Sequence, residues 1–129
     1  IYVFAKEIYN KISNYNRIEK ESKYLLDIEF EEGKLDKKIY DNALTLVSAL
    51  CQRNIFDVSL EPCGENEIAI NIKSYLVYLS LTNDSIEGFI EISKEPRQHI
   101  KFIFDIDKPT WQYDTCKMIN RAIEIKERK

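Results

Sequence analysis

The chain has 129 residues, 44% of them hydrophobic and 32% charged, with a formal net charge of −3 and a pI near 5.3. That length suits one compact domain, and the acidic balance argues against a nucleic-acid binder that works by bulk attraction to phosphate. Cys51, Cys63 and Cys116 are odd in number and lack CxxC spacing, which points away from a disulfide framework or a zinc cage and fits reduced thiols in a cytoplasmic protein.

From the start, Ile1, Phe4, Ala5, Ile8, Ile12 and Tyr15 recur at spacings of three and four, which predicts an amphipathic helix with one apolar stripe. Asn14-Tyr15-Asn16 is the expected stop. A second helical piece is expected to run to about Leu26, followed by an extended exit and a turn at Glu31-Glu32-Gly33. Asp36 suits the N-cap of a helix whose buried stripe is Ile39, Ala43, Leu46, Val47 and Leu50, with Asn54 as its end. Lys6, Glu7 and Lys11 interrupt the apolar start, so a signal peptide is not expected, and no apolar run approaches the ~20 residues of a membrane span.

Five short strands follow between Phe56 and Asp107, with side chains alternating between two faces. The first holds Phe56, Val58 and Leu60. Pro62-Cys63-Gly64-Glu65-Asn66 leads to the second. A tight reversal at Lys73-Ser74 would pair Ile72, Ile70 and Ile68 with Tyr75, Val77 and Leu79. Across the turn Thr82-Asn83-Asp84-Ser85, residues Leu81, Leu79 and Val77 would face Ile86, Gly88 and Ile90. In the last hairpin, Ile92 opposite Ile100 would place Gly88 under Phe104 and Glu91 across from Lys101, an opposite-charge pair. One face is then almost wholly Ile, Leu, Val and Phe. The C-terminal helix, with Trp111, Thr115, Met118, Ala122 and Ile125 as its stripe, can help to cover it.

The expected fold is therefore α+β in two layers: a five-stranded antiparallel β-meander with amphipathic N-terminal and C-terminal helices packed on one face. The 129 residues divide into a helical part (1–54), the meander (55–107) and a C-terminal helix (109–128) within one domain.

The second face is polar except for a band of Ala69, Tyr78, Phe89 and Ile103, with Leu76 beside it and Glu87, Glu91 and Lys101 at its rim. Such a patch marks either a covered surface, here by the N-terminal helix, or a surface for a partner. Asp105-Ile106-Asp107 lies at the end of the last strand, and the register above sets Glu87 next to Asp105. Its spacing resembles the Asp-x-Asp element of nucleotide-dependent transferases and primase-type polymerases, which implies a divalent cation held by Glu87, Asp105 and Asp107. The other reading makes Asp107 the N-cap of the last helix. His99 reads as a solvated turn histidine, and Cys51 and Cys116 as buried thiols. Nucleophile-elbow, phosphate-loop, dinucleotide-binding, zincin and EF-hand patterns are absent, so no cofactor is expected and the balance leans against an enzyme.

Phe30-Glu31-Glu32-Gly33, the amphipathic helix, Val58 to Pro62, Gly64 and the successive short strands are similar to small bacterial domains made of a helix followed by a β-meander, a resemblance spanning Phe30 to Ile92. It implies no activity. The expected function is a non-enzymatic protein–protein interaction module, acting through the outer sheet face on another protein or on a second copy. An inhibitor of the antitoxin, immunity or counter-defence type is the class that fits. The rivals are a metal-dependent enzyme of nucleotide or nucleic acid and, since Ile1 is not Met, an interaction domain cut from a larger protein.

Overall fold

In the computed structural model, which describes residues 2–128, one helix of 30 residues, α1 (Tyr2–Glu31), opens the chain. Neither the stop at Asn14–Asn16 nor the extended exit after Leu26 occurs. No Gly or Pro interrupts this segment, and Asn in a helix interior costs only about 0.5–0.7 kcal/mol. Packing outweighs that cost: Ile18, Ser22 and Leu26 are buried, beside Val47 and Cys51 at one end and Leu35, Ile39 and Ala43 at the other. Ile1, counted in the expected stripe, lies outside the described residues.

The helix runs past the end expected near Leu26 and stops at the expected turn, Glu31-Glu32-Gly33. Gly33 takes φ +74°, its N–H donates to the Phe30 carbonyl, and the Lys34 N–H reaches back to that of Glu29. This double bond pattern satisfies two orphan carbonyls and needs a residue at ease in the left-handed region. Helix α2 (Lys37–Gln52) then runs back along α1. Asp36 occupies the N-cap position, but its carboxylate accepts from Asn83 Nδ2 at 2.7 Å instead of from the helix. All five stripe residues of α2 are buried.

The strands are β1 (Val58–Pro62), β2 (Glu67–Ile72), β3 (Val77–Thr82), β4 (Ser85–Lys94) and β5 (Arg97–Asp105), joined in sequence order as an antiparallel meander. Phe56 precedes β1 and packs on the small cluster of Ile18, Val47 and Cys51. Helix α3 (Trp111–Glu127) closes the fold. Its buried line is Trp111, Thr115, Cys116, Ile119 and Ala122, with Met118 and Ile125 at the flanks. The helices follow the order of the strands: α1 beside β1, α2 over β2 and β3, α3 over β4 and β5. Between the layers lie Ile68, Ile70, Ile72, Val77, Leu79, Leu81, Ile86 and Ile90, all buried.

Two hairpins are registered differently from the expectation, each by two residues. Between β2 and β3, Ile72 pairs with Val77 and Ile70 with Leu79. The reversal takes four residues, a 3-10 turn at Lys73–Tyr75 followed by Leu76 at φ 54°, and Asp57 Oδ2 accepts from the Ser74 N–H at 2.7 Å. Between β4 and β5, Ile90 pairs with Ile100 and Gly88 with Phe102. The Glu95-Pro96 turn is tighter than expected, and a bulge between Glu91 and Ser93 absorbs the remaining residue. A shift of two preserves the alternation of side chains, so each face keeps its residues while their neighbours change.

Among the described residues, no helix is long and apolar enough to cross a membrane.

Candidate functional site on the outer sheet face

Phe89 is the centre of the outer face. Tyr78 stands directly opposite it on β3, with ring centroids 6.3 Å apart. On the other side the ladder partner is Lys101, whose Nζ lies 5.9 Å from the ring centroid, within cation–π range. His99 stacks on the same ring at 4.9 Å, with the planes 21° apart. Ile103 continues the patch on β5 and is 62% exposed; Tyr78 is 46% exposed. Among the described residues, α1 packs chiefly against α2 and β1, which leaves Tyr78 and Ile103 exposed.

The patch is hollow as well as apolar. Ala69 and Ser80 pair across β2 and β3, and their short side chains leave room beside the Tyr78 and Phe89 rings. The result is a concavity of about 660 Å³, lined on the outer face by Ala69, Asn71, Tyr78, Ser80, Glu87, Phe89, Lys101 and Ile103. Ser80 Oγ donates to Glu67 Oε1 at 2.7 Å, which holds one rim carboxylate.

The band is diagonal, not straight. Tyr78 faces Asn71 where Ala69 was expected, and Ile103 faces Glu87 instead of lying beside Phe89. Leu76 sits half-buried at the start of β3, outside the concavity, and its carbonyl accepts from the Glu91 N–H. Glu91 faces His99, so the expected Glu91–Lys101 pair is not formed. The glycine under a ring is present with a different ring: Phe102, not Phe104, covers Gly88.

Charge is distributed unevenly. On the outer face of the ladder, up to the bulge, Glu61, Glu67, Glu87, Glu91 and Asp105 oppose the single ammonium of Lys101. Among the described residues, none of these carboxylates takes part in an ion pair. This face is thus more acidic than the chain as a whole, whose net charge is −3.

The carboxylates proposed for a cation are not gathered. Glu87 faces Ile103, Asp105 faces Ser85, and Asp107 binds Lys38 Nζ at 3.3 Å. The Asp105 carboxylate accepts from the Asp107 N–H at 2.9 Å. Among the described residues, no three His, Cys, Asp or Glu side chains stand where they could hold a metal ion. Nor does Asp107 cap α3: Thr110 takes that position, and its hydroxyl donates to Asp114 Oδ2. Thr110 and Lys108 together pull the Asp114 carboxyl below its usual pKa.

His99, expected as a solvated turn histidine, is exposed but lies within β5, where it stacks on Phe89. Its stacking on Phe89 follows from the two-residue turn and the bulge, and neither has a strong sequence signal. Comparison of the chain with protein-family models, curated proteins and solved structures finds no match.

Proposed function

We propose that this chain is a non-enzymatic docking module and that it binds another protein through the outer sheet face around Phe89. The observation that carries this reading is the uncovered aromatic and aliphatic patch, Tyr78, Phe89 and Ile103, set in a hollow with a charged rim. Buried aromatic anchors within a polar rim are where binding energy concentrates in protein interfaces. A sheet held from behind by α2 and α3 also presents its anchors with little ordering cost. Acting as an inhibitor or neutralising partner requires such a surface and no reacting group. All three cysteines are free thiols, in keeping with a reducing cytoplasmic setting.

The test is capture of the partner from the native host with immobilised wild-type protein and with the Tyr78→Ser/Phe89→Ser variant. The variant is expected to keep its circular dichroism and lose the partner. A partner retained by the folded variant would overturn the reading.

A further inference from the structure

The two edges of the sheet differ. Strand β1 has α1 beside it, whereas β5, nine residues long, comes last in the sheet with β4 on one side and no strand on the other among the described residues. Beyond β5 the chain turns back towards the helix layer, where Asp107 meets Lys38 of α2, and so leads away from that edge. The Ile106 N–H donates to the Asp84 carbonyl, which fixes the parity of the ladder: Ile100, Phe102 and Phe104 turn their backbone groups to β4. His99, Lys101 and Ile103 therefore turn theirs outward, as does the N–H of Asp105. The core also runs out here. On the inner face Ile70, Leu79 and Ile90 are at most 2% exposed, whereas Ile100, Phe102 and Phe104 are only half-buried. At 3.6 residues per turn, α3 carries half-buried Met118 and Ile125 on the flank opposite Cys116 and Ile123, away from α2 and above this same edge.

The order of charges specifies what completes the edge. Arg97, His99 and Lys101 come first along the strand, and Asp105 and Asp107 come last. Reversed, such a strand is its own complement. An antiparallel copy about an axis at Phe102 sets Lys101 against Ile103, His99 against Asp105 and Arg97 against Asp107, and every outward backbone group named above finds a partner. On the inner face, Phe102 meets its symmetry mate and Ile100 meets Phe104. An axis at Lys101 would oppose two ammoniums, and one at Ile103 would shorten the ladder. A foreign strand would need the reversed charge order and the same apolar alternation, and this chain supplies both. Lysine in an edge strand is a usual guard against pairing. Here the Lys101 ammonium is drawn over the Phe89 ring of its own sheet, 5.9 Å from the centroid, and so stays off the edge.

We propose that the chain forms a homodimer through β5, paired antiparallel with β5 of a second copy about a twofold axis at Phe102, so that two five-stranded sheets become one. Helix α3 stands over β4 and β5, one strand in from the edge, so its two copies would lie at least two strand spacings, about 10 Å, apart and would not clash. The outer faces come to lie side by side with both Phe89 hollows open. Dimerisation is therefore separable from docking at Phe89.

Sedimentation equilibrium over a wide concentration series tests this, with circular dichroism to confirm that each variant is folded. The wild type is expected to dimerise. Ile103→Pro removes an N–H that points outward, so no bond to β4 is lost, and sets a proline ring where the second copy would pair; the dissociation constant should rise by about 100-fold. His99→Asp places like charges opposite each other twice per dimer and should raise it by about 10-fold. Adding Asp105→Lys to His99→Asp should restore the dimer, which only a second copy of the same strand can explain. Should Ile103→Pro fail to fold, this pair of variants carries the test. The Tyr78→Ser/Phe89→Ser variant should remain dimeric. A wild type that stays monomeric throughout overturns the proposal, as does a dimer that survives the folded Ile103→Pro variant or a charge swap that fails to restore it. A dimer lost on Tyr78→Ser/Phe89→Ser also overturns it, by assigning self-association to the outer face.

Discussion

Tyr78 and Phe89 face each other across the β3–β4 ladder, their ring planes inclined by 44°, and both point away from the helices. The next residue on the strand, Leu79, points the other way and is 2% exposed. A cross-strand aromatic pair at a half-exposed site contributes about 0.5–1 kcal/mol. Tyr78→Ser is therefore expected to cost no more than about 1 kcal/mol, whereas Leu79→Ala should cost about 2–5 kcal/mol through loss of transfer energy and the cavity left behind. Urea denaturation of the two variants measures the contrast. Equal losses would make Tyr78 part of the core and remove the basis for a docking face.

Gly88 lies under Phe102. A Cβ at this position would come within 2.1 Å of the Phe102 Cζ and 2.2 Å of its Cε1. The ring must swing away or the strands must part, so Gly88→Ala should destabilise by about 1–3 kcal/mol, in the range of overpacked cores. Coupling identifies the cause. In a Phe102→Leu background the same substitution should cost measurably less, and strictly additive losses in a double-mutant cycle would show that the ring is not the obstacle.

The division of the sheet into a helix-covered and an open face could be read from the sequence because it depends only on alternation. Ile68, Ile70 and Ile72 share a face whatever their partners. Which residues become neighbours depends on turn length, and there composition was a poor guide. Lys73-Ser74 carries no glycine, and the left-handed residue that completes the reversal is Leu76, a side chain seldom found there. The bulge near Ile92 likewise leaves no mark in the composition. Because both registers moved by two, Tyr78, Phe89 and Ile103 stayed on one surface while the Glu87, Asp105 and Asp107 grouping dissolved. In α1, the stop at Asn14–Asn16 was a local preference overridden by burial of Ile18 and Leu26, which only the position of α2 determines.

The three cysteines should separate cleanly by reactivity. Cys63 is exposed, whereas Cys51 and Cys116 are buried, and burial pushes both of their thiols above the usual value. Since the thiolate is the reacting species, a disulfide reagent at neutral pH should titrate one thiol in the native protein and three after denaturation. Cys63→Ser should abolish the native-state reaction. Fast modification of a second thiol in that variant would mean that the α2 or α3 packing opens readily.

Tyr40 gives a pH signature of the contact between α1 and α2. Its hydroxyl donates to Asp27 Oδ1 at 2.5 Å, and this bond, chiefly, raises the phenol from 10.0 to about 12. Below pH 10 the phenol is protonated in both folded and unfolded chains, and the stabilisation is fully present. Between about 10 and about 12 the unfolded tyrosine ionises while the folded one keeps its proton, so rising pH favours unfolding across that window. Allowing for the partial exposure of the pair, the loss should be about 1 kcal/mol. Tyr40→Phe keeps the ring contact with Phe30, 5.7 Å between centroids, and removes only the hydroxyl. The stability difference between wild type and Tyr40→Phe should therefore stay constant up to pH 10 and shrink above it. A difference that holds unchanged through pH 12 would show that the bond to Asp27 does not raise the pKa of the folded phenol above that of the unfolded one.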